Sequence, residues 1–353
     1  MVKKKNYKKE LMQRLLSCVF LLLGALSLLY QPASGTPLQE NKLLFLWWNV
    51  ENLFDTHNDP ATEDDEFTPG GKLQWTEKKL ALKQMRIRYL LSAIEAHPEY
   101  RKYPDILAFA EVENRPLFQE TLSKVQGINY RLIYHESSDP RGIDIGLAYN
   151  PNFIKAEASK AYSMSLDGKP TRKIIVAGFS TSSHPFHLIL NHWPSRSFDT
   201  KWSEQKRIAA AKVTRHIVDS LLVANPKADI ILMGDFNDEP GDRSLKEVLG
   251  SSPDDGKVRM PGSKLLYNCW SGYKGIGSYS FGSHWQKIDQ ILLSSGMLDQ
   301  KRLYVQKNAF RCISFNRLLD ADGKKPYSTF AKRKYQGGYS DHLPLLLKVS
   351  IEK

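Results

Sequence analysis

Apolar residues recur along this chain in two rhythms, and their order predicts strands alternating with helices. Leu43–Trp48 is a continuous apolar run, as expected of a strand covered on both faces. Ile106–Ala110, Ile230–Met233, Ile288–Leu293 and Leu345–Val349 read the same way. Further strands are expected at Tyr130–Tyr134, Ile143–Tyr149, Lys173–Phe179 and His187–Leu190. The rhythm is helical over Gln74–His97, where Leu80, Ile87, Leu91 and Ile94 share one face and Thr76 can cap. It is helical again over Glu204–Leu222, with Ser203 as the cap and Ala210, Val213, Ile217 and Leu221 on one face. Pro116 fits the first turn of a short helix ending near Val125. No repeat and no long Pro/Gly/Ser linker divides these elements, which points to sheets covered by helices in one domain.

The first 35 residues follow a different pattern. Lys3, Lys4, Lys5, Lys8, Lys9 and Arg14 precede an apolar run from Leu15 to Tyr30, and Gln31-Pro32-Ala33-Ser34-Gly35 brings small residues. This is the layout of a signal peptide cleaved near Gly35, predicting export to the periplasm or medium. The run is shorter than the roughly 20 residues of a membrane-spanning helix. The catalytic domain is then residues 36–353. The chain carries a net charge of +12, of which five units belong to the leader, with six basic residues and one acid. The remainder suits an anionic partner without choosing one. Export permits a disulfide between Cys269 and Cys312; buried free thiols are the alternative. The acidic stretch Asp55–Glu66 reads as a solvated surface loop.

Chemistry enters where polar residues interrupt the strands. Leu43–Trp48 ends in Asn49-Val50-Glu51-Asn52, and Ile106–Ala110 in Glu111-Val112-Glu113-Asn114. His187–Leu190 ends in Asn191-His192-Trp193-Pro194-Ser195-Arg196, and Ile230–Met233 in Gly234-Asp235-Phe236-Asn237. Asp289 lies inside an apolar strand, and Ser340-Asp341-His342 precedes the last one. Burying so many carboxylates, amides and imidazoles is costly unless they satisfy one another or a metal. Oxygen donors without thiolates favour Mg²⁺, Mn²⁺ or Ca²⁺. A hard cation beside histidine donors suits phosphoryl chemistry, with an Asp to orient and deprotonate water. Acyl transfer is disfavoured by the absence of G-x-S-x-G. No P-loop and no helix-opening G-x-G-x-x-G is present.

These pieces, in this order, resemble the endonuclease/exonuclease/phosphatase superfamily, also called deoxyribonuclease I-like, and the Asn191–Arg196 stretch is similar to an exported bacterial branch. The resemblance covers nearly all of residues 36–353. It implies a four-layer α/β sandwich, two packed mixed sheets flanked by helices, with the site at one sheet edge. It also implies phosphoester hydrolysis with Mg²⁺ or Mn²⁺, Ca²⁺ being a further candidate. A nuclease acting as a monomer on nucleic acid is the leading expectation, without an obligate protein partner. A sphingomyelinase-like enzyme or a small-molecule phosphodiesterase or phosphatase is the alternative. A fold-retaining protein without turnover is disfavoured by the intact residue set.

Carried over residue by residue, Glu111 matches the metal-binding glutamate and Asn49 the asparagine that supports metal and phosphate. Asp341 and Glu51 are further candidate ligands. Asp235 matches the residue that orients or deprotonates water, and Asn237 the one that stabilises the phosphate. Asp289 and His342 form a charge-paired dyad, and His192 binds phosphate or protonates the leaving oxygen. Asp144 either orients His192 or sits in a surface loop. Arg172 and Arg196, with Asn191, are candidate phosphate contacts; solvated arginines are the alternative. Trp193, Trp270, Tyr273, Tyr279, Phe281 and Trp285 either stack on a substrate or pack the loops.

Overall fold

The computed structural model describes residues 42–352, apart from 167, 182, 183 and 283. The expected signal peptide, residues 1–35, lies outside the described residues. Strands β1 (Lys42–Leu53), β2 (Ile106–Val112), β3 (Arg131–Tyr134) and β4 (Asp144–Tyr149) come first. They are followed by β5 (Lys155–Leu166), β6 (Lys169–Thr181), β7 (His184–His192) and β8 (Ile230–Asp235). The short strands β9 (Ser251–Ser252) and β10 (Leu266–Asn268) follow, then the hairpin β11 (Tyr279–Phe281) and β12 (His284–Gln286). The rest are β13 (Asp289–Leu293), β14 (Leu303–Tyr304), β15 (Phe310–Cys312), the hairpin β16 (Phe330–Ala331) and β17 (Lys334–Tyr335), and β18 (Leu345–Ile351).

One mixed sheet runs β14-β18-β1-β2-β4-β3, with β15 also on β18; the second runs β5-β6-β7-β8-β13-β10-β9. The sheets face each other through apolar side chains. Phe45 of β1 meets Phe186 of β7 with ring centroids 5.7 Å apart, in a core that also holds Met233, Ile291 and Leu347. Helices α1 (Glu77–Ala96) and α2 (Arg115–Ser123) bury Ile87, Leu91 and Phe118 in the same core as the first sheet. Helix α3 (Thr200–Ala224) buries Ala210, Ile217 and Val218 with Ile189 and Leu232 of the second sheet. The result is the four-layer sandwich expected from the sequence.

Three details depart from the sequence reading. Helix α3 begins four residues earlier than expected, because Asp199 rather than Ser203 is its cap and accepts the Trp202 N–H at 3.0 Å. Ser203 lies inside the helix, donating to the Thr200 carbonyl. Strand β5 was not expected at all. Its Ala, Ser and Lys residues lack strand propensity, and it holds an edge of the second sheet by pairing with β6. The acidic loop is solvated for most of its length, but Asp64 is buried and accepts the Asp59 N–H. Cys269 and Cys312 are buried free thiols, which settles the alternative left open above.

Candidate active site

The polar strand ends meet because the central strands run in register. Parallel pairing of β1 with β2 puts Asn49 opposite Ala110, one residue before Glu111. Parallel pairing of β7 with β8 puts His192 opposite Asp235, and antiparallel pairing of β8 with β13 puts Asp289 opposite Asp235. His342 enters from the turn before β18, pairing its backbone with Tyr279. Four residues here adopt left-handed backbone: Glu51 (φ 52°), Asn52 (φ 57°), Glu111 (φ 64°) and Asn237 (φ 52°). Such conformations are strained for residues with a Cβ and gather where a side chain must be aimed. Gly234 has a different reason. A Cβ there would lie 2.5 Å from the Asn191 carbonyl oxygen, so β7 and β8 can approach only over glycine.

Asp235 is the hub. Its Oδ2 accepts from Asn49 Nδ2 at 3.1 Å and lies 3.7 Å from His192 Nε2 and 3.9 Å from His342 Nε2. Its Oδ1 accepts the Asn237 N–H at 3.0 Å. Asn49 also donates to Glu111 Oε1 at 3.3 Å, and Glu111 Oε1 is 3.8 Å from His192 Nε2. Asp289 is held at both oxygens: Trp47 Nε1 donates to Oδ1 at 2.8 Å, and Oδ2 bonds His342 Nδ1 at 2.7 Å. Trp48 Nε1 donates to the His342 carbonyl and Ser340 Oγ to the Asn49 carbonyl, fastening the last turn to β1. Asn49, Glu111, His192, Asp235, Asp289 and His342 therefore form one contiguous set.

Electrostatics divides the two histidines. Burial opposes charge on His342, but the carboxylates of Asp289, Asp341 and Asp235 outweigh it and hold its pKa well above the ordinary histidine value. For His192, burial, then Arg172, Arg141 and His342, all act the other way and hold it well below. The surroundings thus favour the charged form of His342 and the neutral form of His192. Asp235 is pushed up to about 7 by burial and by Asp289, against His342 and the Asn49 and Asn237 hydrogen bonds.

The other sequence-expected residues have different surroundings. Both oxygens of Glu51 accept backbone N–H groups, from Thr329 at 2.5 Å and Phe330 at 2.9 Å, so it anchors that segment. Asp144 accepts twice from Ser137 N and meets the Tyr134 hydroxyl at 3.4 Å; its bonds go there rather than to His192. Among the described residues, His192 Nδ1 is buried without a partner, as is Asn191 Nδ2. Asn191 Oδ1 accepts from Trp193 Nε1 and Thr214 Oγ1. Asn237 Nδ2 and Arg172 Nη2 both donate to the Trp193 carbonyl, at 3.0 and 2.8 Å. Arg172 is buried against Asp139, whereas Arg196 is exposed and bonds the Asn237 carbonyl and Asp242. Asp341 lies at the mouth, 42% exposed and 4.0 Å from His342 Nε2. Trp270 belongs to the core, donating to the Asp289 carbonyl and packing on Tyr273 and Phe310.

One residue of this neighbourhood escaped the sequence reading. Lys83 of α1 is 1% exposed and donates to Thr329 Oγ1 and the Tyr339 carbonyl. The signal was present, since Lys83 stands between Leu80 and Ile87 on the apolar stripe of the helix.

The donor set fits a hard divalent cation. Asp235, Asp289 and His342 can bring one ligand atom each within 4.8 Å of one another, but Asp289 is spent on Trp47 and His342. The better donors are Glu111 and Asp341, whose side chains reach solvent, with Asn49 beside Glu111. Their excess negative charge is felt by Tyr279, whose hydroxyl is pushed up to about 12 by burial and by Asp341, Asp235, Glu51 and Glu111. All are oxygen donors, the preference of Mg²⁺ and Mn²⁺.

Comparison with known proteins gives one family and one fold. Residues 45–352 match the model of a family described as the endonuclease/exonuclease/phosphatase family. Among solved structures, an endonuclease/exonuclease/phosphatase from Bacteroides vulgatus aligns with a TM-score of 0.55 and 13% identity, covering 88% of this chain and 99% of that one. The human Nocturnin catalytic domain with bound sulfate aligns with a TM-score of 0.54 and 17% identity, over 89% and 95%. D. rerio TDP2 complexed with a single-strand DNA product aligns with a TM-score of 0.53 and 18% identity, over 88% and 99%. None of the curated proteins matches the chain.

Proposed function

The chain belongs to the endonuclease/exonuclease/phosphatase family and is a phosphoester hydrolase, and we propose that it is an exported, divalent-metal-dependent phosphodiesterase acting on nucleic acid. The observation that carries this reading is the convergence of Asn49, His192 and His342 on one oxygen of Asp235, with Glu111 bonded to Asn49 and Asp289 to His342, in one buried pocket.

Each residue has a task set by its environment. His342, kept charged by Asp289, donates from Nε2 to a phosphate oxygen and offsets the charge that grows there. Asp235, with a pKa near 7, takes the proton of the attacking water at neutral pH. Neutral His192 contacts the phosphate as a hydrogen-bonding ring. Glu111, Asn49 and Asp341 would hold the cation, Mg²⁺ or Mn²⁺. Bound there, the ion neutralises charge on a phosphate oxygen. Asn237 and Arg172 shape the loop through the Trp193 carbonyl.

Support for nucleic acid comes from the basic balance of the chain and from the TDP2 neighbour's single-strand DNA product. The exposed rings of Phe198 and Trp202 lie on the segment leaving His192, where bases can stack. Phe281, exposed at the end of β11, favours a second reading, a lipid phosphodiester. Residues 36–353 should therefore be assayed on DNA, RNA, sphingomyelin and a simple phosphodiester with Mg²⁺, Mn²⁺ and Ca²⁺, using Asp235→Ala as blank. Metal-dependent cleavage of a polynucleotide supports the proposal; cleavage of sphingomyelin alone favours the second reading. For export, the purified native protein should begin near Thr36, and retention of residues 1–35 would contradict it.

A further inference from the structure

A lysine buried on the apolar face of a helix needs a reason, because an ammonium out of water is costly unless it is hydrogen-bonded and faces opposite charge. Lys83 meets both conditions. Its Nζ donates to Thr329 Oγ1 at 2.5 Å and to the Tyr339 carbonyl at 2.8 Å. Burial pulls its pKa down to about 8, against the carboxylates of Glu51, Asp341 and Glu111, in that order of strength. Glu51 grips the same segment from the other side by accepting the Thr329 and Phe330 N–H groups. The neighbouring Arg86 adds bonds to the Gly337 carbonyl and the Tyr339 hydroxyl. The clamped segment, residues 327–339, runs directly into Ser340-Asp341-His342.

We propose that Lys83 is a positioning residue of this site, a resident cation behind Glu51, Glu111 and Asp341 that supplies the charge balance a second metal ion would otherwise provide. The inference rests on the metal-dependent reading above. Two consequences follow from the geometry. Lys83 repels any cation held by Glu111 and Asp341, so its removal tightens metal binding. It also stabilises the negative charge that builds up at the phosphate, so its removal slows turnover. It is 1% exposed with its Nζ bonded to Thr329 and the Tyr339 carbonyl, so it does not reach substrate and KM changes little. A purely structural lysine would give the opposite metal effect, since a loosened Asp341 binds an ion more weakly.

The test is Mn²⁺ binding to residues 36–353, measured by calorimetry at pH 7, where Lys83 is still mostly charged, without substrate, together with kcat and KM on bis-p-nitrophenyl phosphate. Lys83→Gln keeps a donor for Thr329 or Tyr339 and removes the charge. We expect one Mn²⁺ per wild-type chain and about tenfold tighter binding in Lys83→Gln. We expect kcat to fall about tenfold with KM within about threefold. Equal or weaker Mn²⁺ binding in Lys83→Gln, with binding intact in the wild type, overturns the role of Lys83 alone. Absence of Mn²⁺ binding in the wild type overturns the metal-dependent reading as well. If Lys83→Gln does not fold, Lys83→Gln/Glu51→Gln removes both buried charges together. Its Mn²⁺ affinity should then stay within about threefold of wild type, since the net charge is unchanged. A loss of tenfold or more would make Glu51 a ligand and overturn the proposal.

Discussion

Two histidines approach the same oxygen of Asp235, His192 at 3.7 Å and His342 at 3.9 Å, yet they stand on opposite sides of the ordinary histidine pKa. Opposed environments of this kind separate an acid from a base within one pocket. Activity should rise with pH through about 7 as Asp235 loses its proton, and fall only when His342 loses its own, well above 6.5. Asp289→Asn should shift the alkaline limb of kcat/KM to lower pH, because it removes the carboxylate that most strongly favours the imidazolium. An unmoved alkaline limb would mean that another group sets it. Asp235→Asn should lower kcat by about 10² to 10⁴ while the protein stays folded; a change under tenfold would remove Asp235 from the role of base. At this scale the sequence carried residue types and order, but not reach. It could not tell that Glu51 spends both oxygens on backbone N–H groups, or that Asp144 turns to Ser137.

Strands buried on both faces were the most legible elements, because continuous apolar runs such as Leu43–Trp48 leave few alternatives. The edge strand β5 was illegible for the converse reason: half of the chemistry that marks a strand is absent where solvent covers it. Elements also carry constraints that motifs hide. Gly234 reads as part of a turn, but its place is a close crossing between β7 and β8. Gly234→Ala should cost about 1–3 kcal/mol in denaturant unfolding, and an unchanged midpoint would show that β7 yields easily. The residue after β2 gives a pH signature. Glu113 is pushed up to about 8 by burial and by the carboxylates of Asp55 and Asp64, against the Asp55 N–H. The folded chain then holds a proton that the unfolded chain releases near 4.5, so stability falls as pH rises from there to about 8. Between pH 5 and 8 the Tm of wild type should drop more steeply than that of Glu113→Gln; parallel curves would contradict this.

Across the whole molecule, six short polar motifs spread from Trp48 to His342 form one site because parallel pairs β1–β2 and β7–β8 end at the same edge. This is why the family was legible in the sequence while the substrate was not: the strands fix the chemistry, and the loops around it decide what enters. A polynucleotide substrate makes a further demand at this scale. Its binding should weaken steeply with salt, in a linear plot of log affinity against log salt; a flat plot would point to a small phosphodiester. The proposed metal-dependent phosphodiesterase site depends above all on Asp235. The most direct measurement is cleavage of DNA and RNA by residues 36–353 with Mg²⁺ or Mn²⁺ and with chelator, beside Asp235→Ala. Cleavage that requires the metal and is lost in the variant is expected. Cleavage that survives both chelation and Asp235→Ala, or no cleavage of either polynucleotide under any metal, would contradict it.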